Sequence, residues 1–442
     1  MQKRFGIIIF SVLLVITANG QQKLTVPEVD KTSYELYLNG QWEKLITYAE
    51  TARLQGIDFF YLEARTGIAY YNLRKHRKAS GWFREAWVKD HSFEWLQEYM
   101  YYSLLLGGEY GEAYKLAASF SPAVKDKIGY SNKSITGASV NIGYSFNADL
   151  KSLESASHGQ QANVGDDYGE AYYLKNYHFE TIDLSHRIAP SVSVDHSITY
   201  IGISRNQMVD WQGRHSFPAR TSQFQYYISP DITIGRKWYV SPSVSLIWGE
   251  YSYAYGGYYN NRPSFRNLNT SFSDQVFSLS TWSHFGNFSP GVEYNYANIS
   301  NIQFSQFSGW ITVYPFSNLD FYITPRIYLK SSDEKGIAYN TFGVSAGTQV
   351  GRVHLYGQYL KGEMENFIES SGYVVSNFPG VSDQKLSGSL YFRMNKKYNF
   401  VIHYLVQDVK ENYSVYSNYV MQNNLQYDFT RHTLTGGIIW NF

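Results

Sequence analysis

The 442-residue chain has no cysteine, and its formal net charge is only +1. The first absence removes disulfides, thiolate metal sites and a lipidated N-terminal cysteine together. The second removes the clear basic excess that a polyphosphate partner calls for, so nucleic acid is not an expected partner. After residue 20 no apolar run reaches the roughly 20 residues of a membrane-spanning helix. Any crossing of a membrane beyond that point must be made by strands.

What is present points to such a crossing. Lys3 and Arg4 precede an apolar run from Phe5 to Ile16 and the small-residue stretch Ala18-Asn19-Gly20, which reads as a secretory signal over residues 1–20, cleaved after Gly20. The chain carries 42 Tyr, 27 Phe and 10 Trp, and this 18% aromatic content exceeds what a soluble core requires. Tyr and Trp suit a membrane–water boundary because one end of each ring system is apolar and the other wet.

Two periodicities divide the rest. Over residues 31–125 four registers share a spacing of 34: Ala52/Ala86/Phe120, Ala49/Phe83/Ala117, Leu45/Ala79/Ala113 and Leu36/Tyr70/Leu104. That is the length of the tetratricopeptide helix–turn–helix repeat, so a small all-α module is expected, leaning on another surface because so few copies are present. Its aromatic cluster (Trp82, Trp87, Trp95, Tyr99, Tyr101, Tyr102) reads first as core packing and second as a ligand groove. Such arrays bind peptides or partner proteins.

From residue 134 to 442 the period is two. Val140/Ile142/Tyr144/Phe146, Val192/Val194/Ile198/Tyr200 and Phe400/Ile402/Tyr404/Val406 each put apolar residues on one face. This predicts about 14 strands, with tight connections at Ala189-Pro190, Gly235-Arg236, Gly286-Asn287, Ser317-Asn318, Gly351 and Asn395-Lys396-Lys397. Long polar connections are expected at 147–175, 205–221, 254–272, 365–381 and 412–426. Alternating short and long connections in an even-stranded antiparallel set describe an up-and-down transmembrane barrel, with short turns in the periplasm and long loops outside. The last strand closes with Leu434, Gly436, Ile438, Trp440 and Phe442 on one face, and Trp440 and Phe442 read as the membrane-insertion signal.

Strand parity gives candidate lumen residues: Asp183, Arg187, Asp195, Asp231, Glu293, Arg326, Arg393 and Arg431, with Tyr322, Tyr328, Tyr391 and His403 beside them. A charge facing lipid costs roughly 2–4 kcal/mol for Arg or Lys at mid-bilayer, which favours the inward side. These residues either pair with one another structurally or line a saccharide or anion route. His186 and His196 fall on the outward register, tolerable at an interface and odd at mid-bilayer. Asp166-Asp167 with Glu170 reads as a solvated loop or, less simply, as a divalent-cation site. No nucleophile elbow and no paired-histidine metal motif occurs, so no catalytic residue, metal or cofactor is assigned.

An exported chain with a short tetratricopeptide-like segment, followed by a Tyr-rich barrel that ends Gly436-Gly437-Ile438-Ile439-Trp440-Asn441-Phe442, resembles the YaiO-type outer-membrane barrel family. The resemblance spans residues 134–442 and implies an outer-membrane barrel with its helical module in the periplasm. The implied role is export or surface anchoring of an envelope polysaccharide, with outer-membrane lipid and periplasmic proteins as further partners. An outer-membrane enzyme acting on lipid or glycan, or a structural or adhesive surface barrel, are the alternative readings.

Overall fold

A computed structural model describes residues 23–131, 133–155, 168–260, 262–332, 337–417 and 420–442. The expected signal segment and Asp166-Asp167 lie outside these residues.

Seven helices come first: α1 (Val26–Leu38), α2 (Trp42–Leu54), α3 (Phe60–Asn72), α4 (His76–Lys89), α5 (Glu94–Leu106), α6 (Tyr110–Ala117) and α7 (Pro122–Ile128). The helical region is thus slightly wider at both ends than residues 31–125. Helices α1, α3 and α5 begin at residues 26, 60 and 94, and α2, α4 and α6 at 42, 76 and 110, an interval of 34 in every case. Ala49, Ala52, Ala79, Phe83, Ala86, Ala113 and Ala117 are fully buried in one core. Small residues let the helices approach, and the Phe83 ring lies over Gly67, where an added Cβ would come within 2.6 Å of it. The four spaced registers are therefore the packing seams of the module.

Fourteen strands then close an antiparallel barrel: β1 (Ile135–Asn147), β2 (Tyr168–Ala189), β3 (Val192–Asp210), β4 (Arg214–Ile234), β5 (Trp238–Tyr259), β6 (Arg262–Ser283), β7 (Phe288–Ile299), β8 (Ile302–Val313), β9 (Phe321–Ser332), β10 (Ile337–Val350), β11 (Val353–Met364), β14 (Val381–Arg393), β15 (Tyr398–Ser417) and β16 (Val420–Asn441). Two further short strands, β12 (Phe367–Glu369) and β13 (Val374–Ser376), pair only with each other. The ring shuts where β1 pairs with β16 from Gly137↔Asn441 to Asn147↔Arg431. Gly235, Gly286 and Gly351 turn the chain at one end with φ of 55–60°, a left-handed conformation in which glycine carries no Cβ penalty.

The other end is taller than the composition suggests. Regions 205–221, 254–272 and 412–426, expected as loops, are mostly ladder: β5 and β6 pair as far as Tyr259↔Arg262, and β15 and β16 as far as Ser417↔Val420. Apolar and polar residues are mixed along these hairpins, with Met208, Ala219, Ala254 and Tyr413 buried among polar neighbours, so no sustained apolar alternation marks them. Strand β14 begins opposite Lys410. Beyond that point β15 pairs instead with β2, Ser414↔Glu170 to Tyr416↔Tyr168, which draws one side of the tall end across toward the other.

The wall sorts by alternation. Ile142, Tyr144, Ile182, Leu246, Trp248, Phe277, Leu279, Ile402 and Leu434 are exposed on the outer face. Their neighbours Ser145, Thr181, Ser245, Ser278 and Thr433 are buried inside. A continuous apolar outer band of this kind fits a bilayer and not water. His186 and His196 are also on the outer face, their rings stacked at 5.0 Å, with His196 Nδ1 2.8 Å from the Tyr226 hydroxyl. They sit within a few residues of the β2–β3 turn, the edge of the wall, where a wet tip is tolerated.

Replacing Ile142, 60% exposed on the outer face, with Arg should destabilise the membrane-inserted barrel by about 2–4 kcal/mol. The inward Asn141→Arg change should cost less. A urea titration in lipid vesicles, followed by heat-modifiable mobility, compares the two, and equal costs would contradict the assignment of faces.

Candidate functional site

The segment between β11 and β14, expected as an outward loop over residues 365–381, folds into the barrel instead. Its apolar residues are the reason. Ile368 and Val375 join Ile247, Val276, Ala297, Ile299 and Phe304 of the wall, and Phe367 joins Tyr328, Leu360 and Met364. Phe367 is 1% and Ile368 0% exposed, burial that a mouth loop in water would not provide.

The wall then satisfies the segment's backbone. Gln306 receives and gives a bond at Ile368, from its Nε2 to the carbonyl at 2.6 Å and from the amide N–H to its Oε1 at 3.2 Å. Ser243 donates to the Ser371 carbonyl at 2.5 Å, Ser245 to the Gly372 carbonyl at 2.8 Å, and Gln225 to the Tyr373 carbonyl at 3.1 Å. Side chains of the segment reach back: Tyr373 to Asp183 at 3.0 Å, Ser371 to Glu293 at 3.0 Å, and Asn377 to Gln223 at 2.9 Å and Asp274 at 3.1 Å. Glu369 and Lys385 form a buried ion pair. Ser370, Ser371 and Gly372 all hold positive φ, 52°, 55° and 82°, so the tip of the hairpin is strained and kept in place by these contacts.

This segment divides the interior. Toward the tall end lies a cavity of about 800 Å³ lined by Tyr172, Arg205, Gln223, Tyr251, Phe272 and Asp274 of the wall and by Asn377 and Phe378 of the segment. Toward the short-turn end lies a polar chamber of about 440 Å³, lined by Asp195, Asp231, Ser241, Ser280, Glu293, Trp310 and Arg326, with Ser370 and Ser371 above it.

The eight charged positions singled out by parity separate accordingly. Asp195, Asp231, Glu293 and Arg326 share the lower chamber, where Ser185 donates to Asp195, Ser241 to Asp231, and the Arg326 guanidinium lies 4.2 Å from the Trp310 ring centre. Asp183 accepts from Ser139 and Asn141 as well as Tyr373. Arg431 donates to Gln407 at 2.6 Å and lies near Tyr177 and Phe378. Arg187 stands at the short-turn end with its guanidinium 3.9 Å from the Tyr114 ring centre in α6. Arg393 is exposed at the same end. Trp440 pairs with Ala138 and Tyr398 near the end of the closing strand, and Phe442, just past it, donates its N–H to the Thr136 carbonyl at 3.1 Å.

The helical module covers part of the short-turn mouth. Arg77 of α4, 2% exposed, donates to the carbonyls of Gly286 at 2.6 Å and Gly107 at 2.7 Å and to Ser289 Oγ at 3.0 Å, with its guanidinium 4.1 Å from the Tyr314 ring centre. Its own N–H meets the Ser317 carbonyl at 2.9 Å, Arg74 pairs with Asp320 at 2.9 Å, and Lys115 reaches the Gly235 carbonyl at 2.8 Å. Within the module, Arg84 pairs with both Glu109 and Glu112, fixing the α5–α6 turn that faces the chamber. Nothing in the sequence distinguished Arg77 from other helical cations. Its role appears only when barrel carbonyls surround it.

No protein-family model and no curated protein matches the chain. Solved structures that it resembles include the P. putida toluene transporter TodX (8% identity, TM-score 0.44) and a Pseudomonas aeruginosa FadL homologue (10% identity, TM-score 0.42), each alignment covering 74% of this chain and 94% of the other. The translocator domain of autotransporter NalP from Neisseria meningitidis aligns over 77% of this chain and 99% of its own, at 8% identity and a TM-score of 0.29. These identities and scores transfer neither ligand nor partner.

Burial holds the imidazoles of His76 and His284, both at the helix–barrel contact, down to about 4. Once exposed they titrate near 6.5, so protonation favours the undocked state: docking is at full strength above pH 6.5 and weakens as pH falls toward 4. Protease release of the helical module should be faster at pH 5 than at pH 7.5, and equal rates would contradict this. Arg77→Ala removes hydrogen bonds worth about 1.5–3 kcal/mol each to a charged donor, so it should speed release at either pH while the barrel stays heat-modifiable.

Proposed function

We propose that the protein is a gated outer-membrane barrel that gives passage or surface anchorage to an envelope glycan, with a tetratricopeptide-like module at its periplasmic mouth that recruits partner proteins. The apolar outer band, the tight turns at Gly235, Gly286 and Gly351 at the end where the helices dock, and the closing aromatic strand support the membrane and its orientation. The interval of 34 between successive helix starts supports the repeat reading. A lower chamber lined by three carboxylates, serines and an arginine suits a hydrated solute better than a hydrocarbon.

The observation that carries the gate is the independence of the wall from the segment that divides it. The ladder runs around the ring without β12 and β13. The segment is held by side-chain hydrogen bonds, each worth about 0.5–1.5 kcal/mol net, by the Glu369–Lys385 ion pair and by the burial of Phe367, Ile368 and Val375, and none of these contacts belongs to the ladder of the ring. It can therefore leave the lumen without opening the wall, and a polymer requires that it do so.

Replacing residues 367–377 with a Gly-Ser linker of equal length should leave a folded barrel whose conductance in planar bilayers rises severalfold. A folded variant with unchanged conductance would count against a gate at this position.

A further inference from the structure

The cavity toward the tall end has the features of a ligand site. It reaches the exposed two-residue turn Ser300-Asn301, so it communicates with solvent at that rim. Its walls combine aromatic faces with polar groups, and three of those groups are unfinished. Arg205 Nε, Gln223 Nε2 and Asn377 Oδ1 are buried and have no hydrogen-bond partner among the described residues, although all three residues line this cavity. A buried polar atom left unpaired costs about 1–3 kcal/mol, and protein interiors rarely leave several together without something to meet them.

The set is two donors and one acceptor. A carboxylate or phosphate would answer the donors and leave Asn377 Oδ1 unmet beside the Asp274 carboxylate. A hydrocarbon would answer none. Neighbouring hydroxyls, each able to give and accept, answer all three, and the C–H face of a sugar ring packs on Tyr251 or Phe272 as other apolar faces do. A volume of about 800 Å³ falls within the range of small-molecule pockets, above the needs of a single ring.

We infer that this cavity binds a short neutral saccharide, two or three rings long, from the tall-hairpin side. The inference deepens the glycan reading above and rests on it only for orientation. The floor of the site belongs to the gate. Asn377 holds the inward segment to the wall by donating to Gln223 Oε1 and Asp274 Oδ2, and the Asn377 and Gln223 amides present two of the three unpaired atoms. A bound saccharide thus touches the pin of the segment.

Titration of the purified full chain in detergent with di-N-acetylchitobiose and with maltotriose, followed calorimetrically, tests this. At least one should bind saturably, and Gln223→Ala and Tyr251→Ala should each weaken it tenfold or more while the heat-modifiable form persists. Lys396→Ala, exposed in a short turn at the opposite end, should change affinity little. Binding of neither sugar at millimolar concentration, binding unaffected by Gln223→Ala and Tyr251→Ala, or saturable binding of toluene in place of sugar would each overturn the assignment. The linker variant's conductance is a separate readout, so failure here leaves the gate standing, and a failed gate leaves the site standing.

Discussion

The ladder between the first and last strands is the constraint on which the rest depends. Without the β1–β16 pairing the barrel would present two open edges to lipid, where an unpaired backbone group costs several kilocalories per mole. With it, every barrel strand has two neighbours, and alternation, reset only at irregularities such as Leu174/Asn176 and Ser382/Gln384, sends side chains in turn to the interior and to the outer face. That choice puts Asp195, Asp231, Glu293 and Arg326 in one chamber and leaves Ile142 and Leu246 to the membrane.

A closed wall also frees the interior. Because no strand of the ring needs β12 or β13, the segment between β11 and β14 is available as a partition, held by contacts weak enough singly to be exchanged. At the other mouth the helical module docks through Arg77, whose charge is met by carbonyls, the Ser289 hydroxyl and a tyrosine ring. The two closures differ in kind. The partition is strained and tethered at both ends, whereas the docked module is a folded body attached through side chains and backbone at its contact with the short turns.

Much of this was legible before the structure. The barrel strands announce themselves by a period of two, the helices by an interval of 34, and the short turns by glycine where a left-handed residue is needed. The tall hairpins were not legible, because stretches such as Tyr251–Tyr259 mix tyrosine, serine, alanine and glycine and carry no sustained apolar alternation. The partition was misread as a loop for the same reason, its Glu369-Ser370-Ser371-Gly372 core being polar. A signal was nonetheless there: Phe367, Ile368, Val374, Val375 and Phe378 are five apolar residues within twelve positions, more than a solvent loop can use. The cavity above it could not be found by motif, since Arg205, Gln223, Tyr251 and Asn377 meet only through the pairing of distant strands.

The absence of native cysteine allows the central claim, a lumen divided by its own inward segment, to be tested with single thiols. Thr221→Cys lies above the partition and Ser280→Cys below it. The rates at which a membrane-impermeant maleimide, added from the tall-hairpin side, modifies each in the vesicle-inserted barrel compare the two directly. The account predicts that Thr221→Cys reacts at least tenfold faster, and that the difference disappears when residues 367–377 are replaced by the linker. Equal rates in the intact barrel would contradict it.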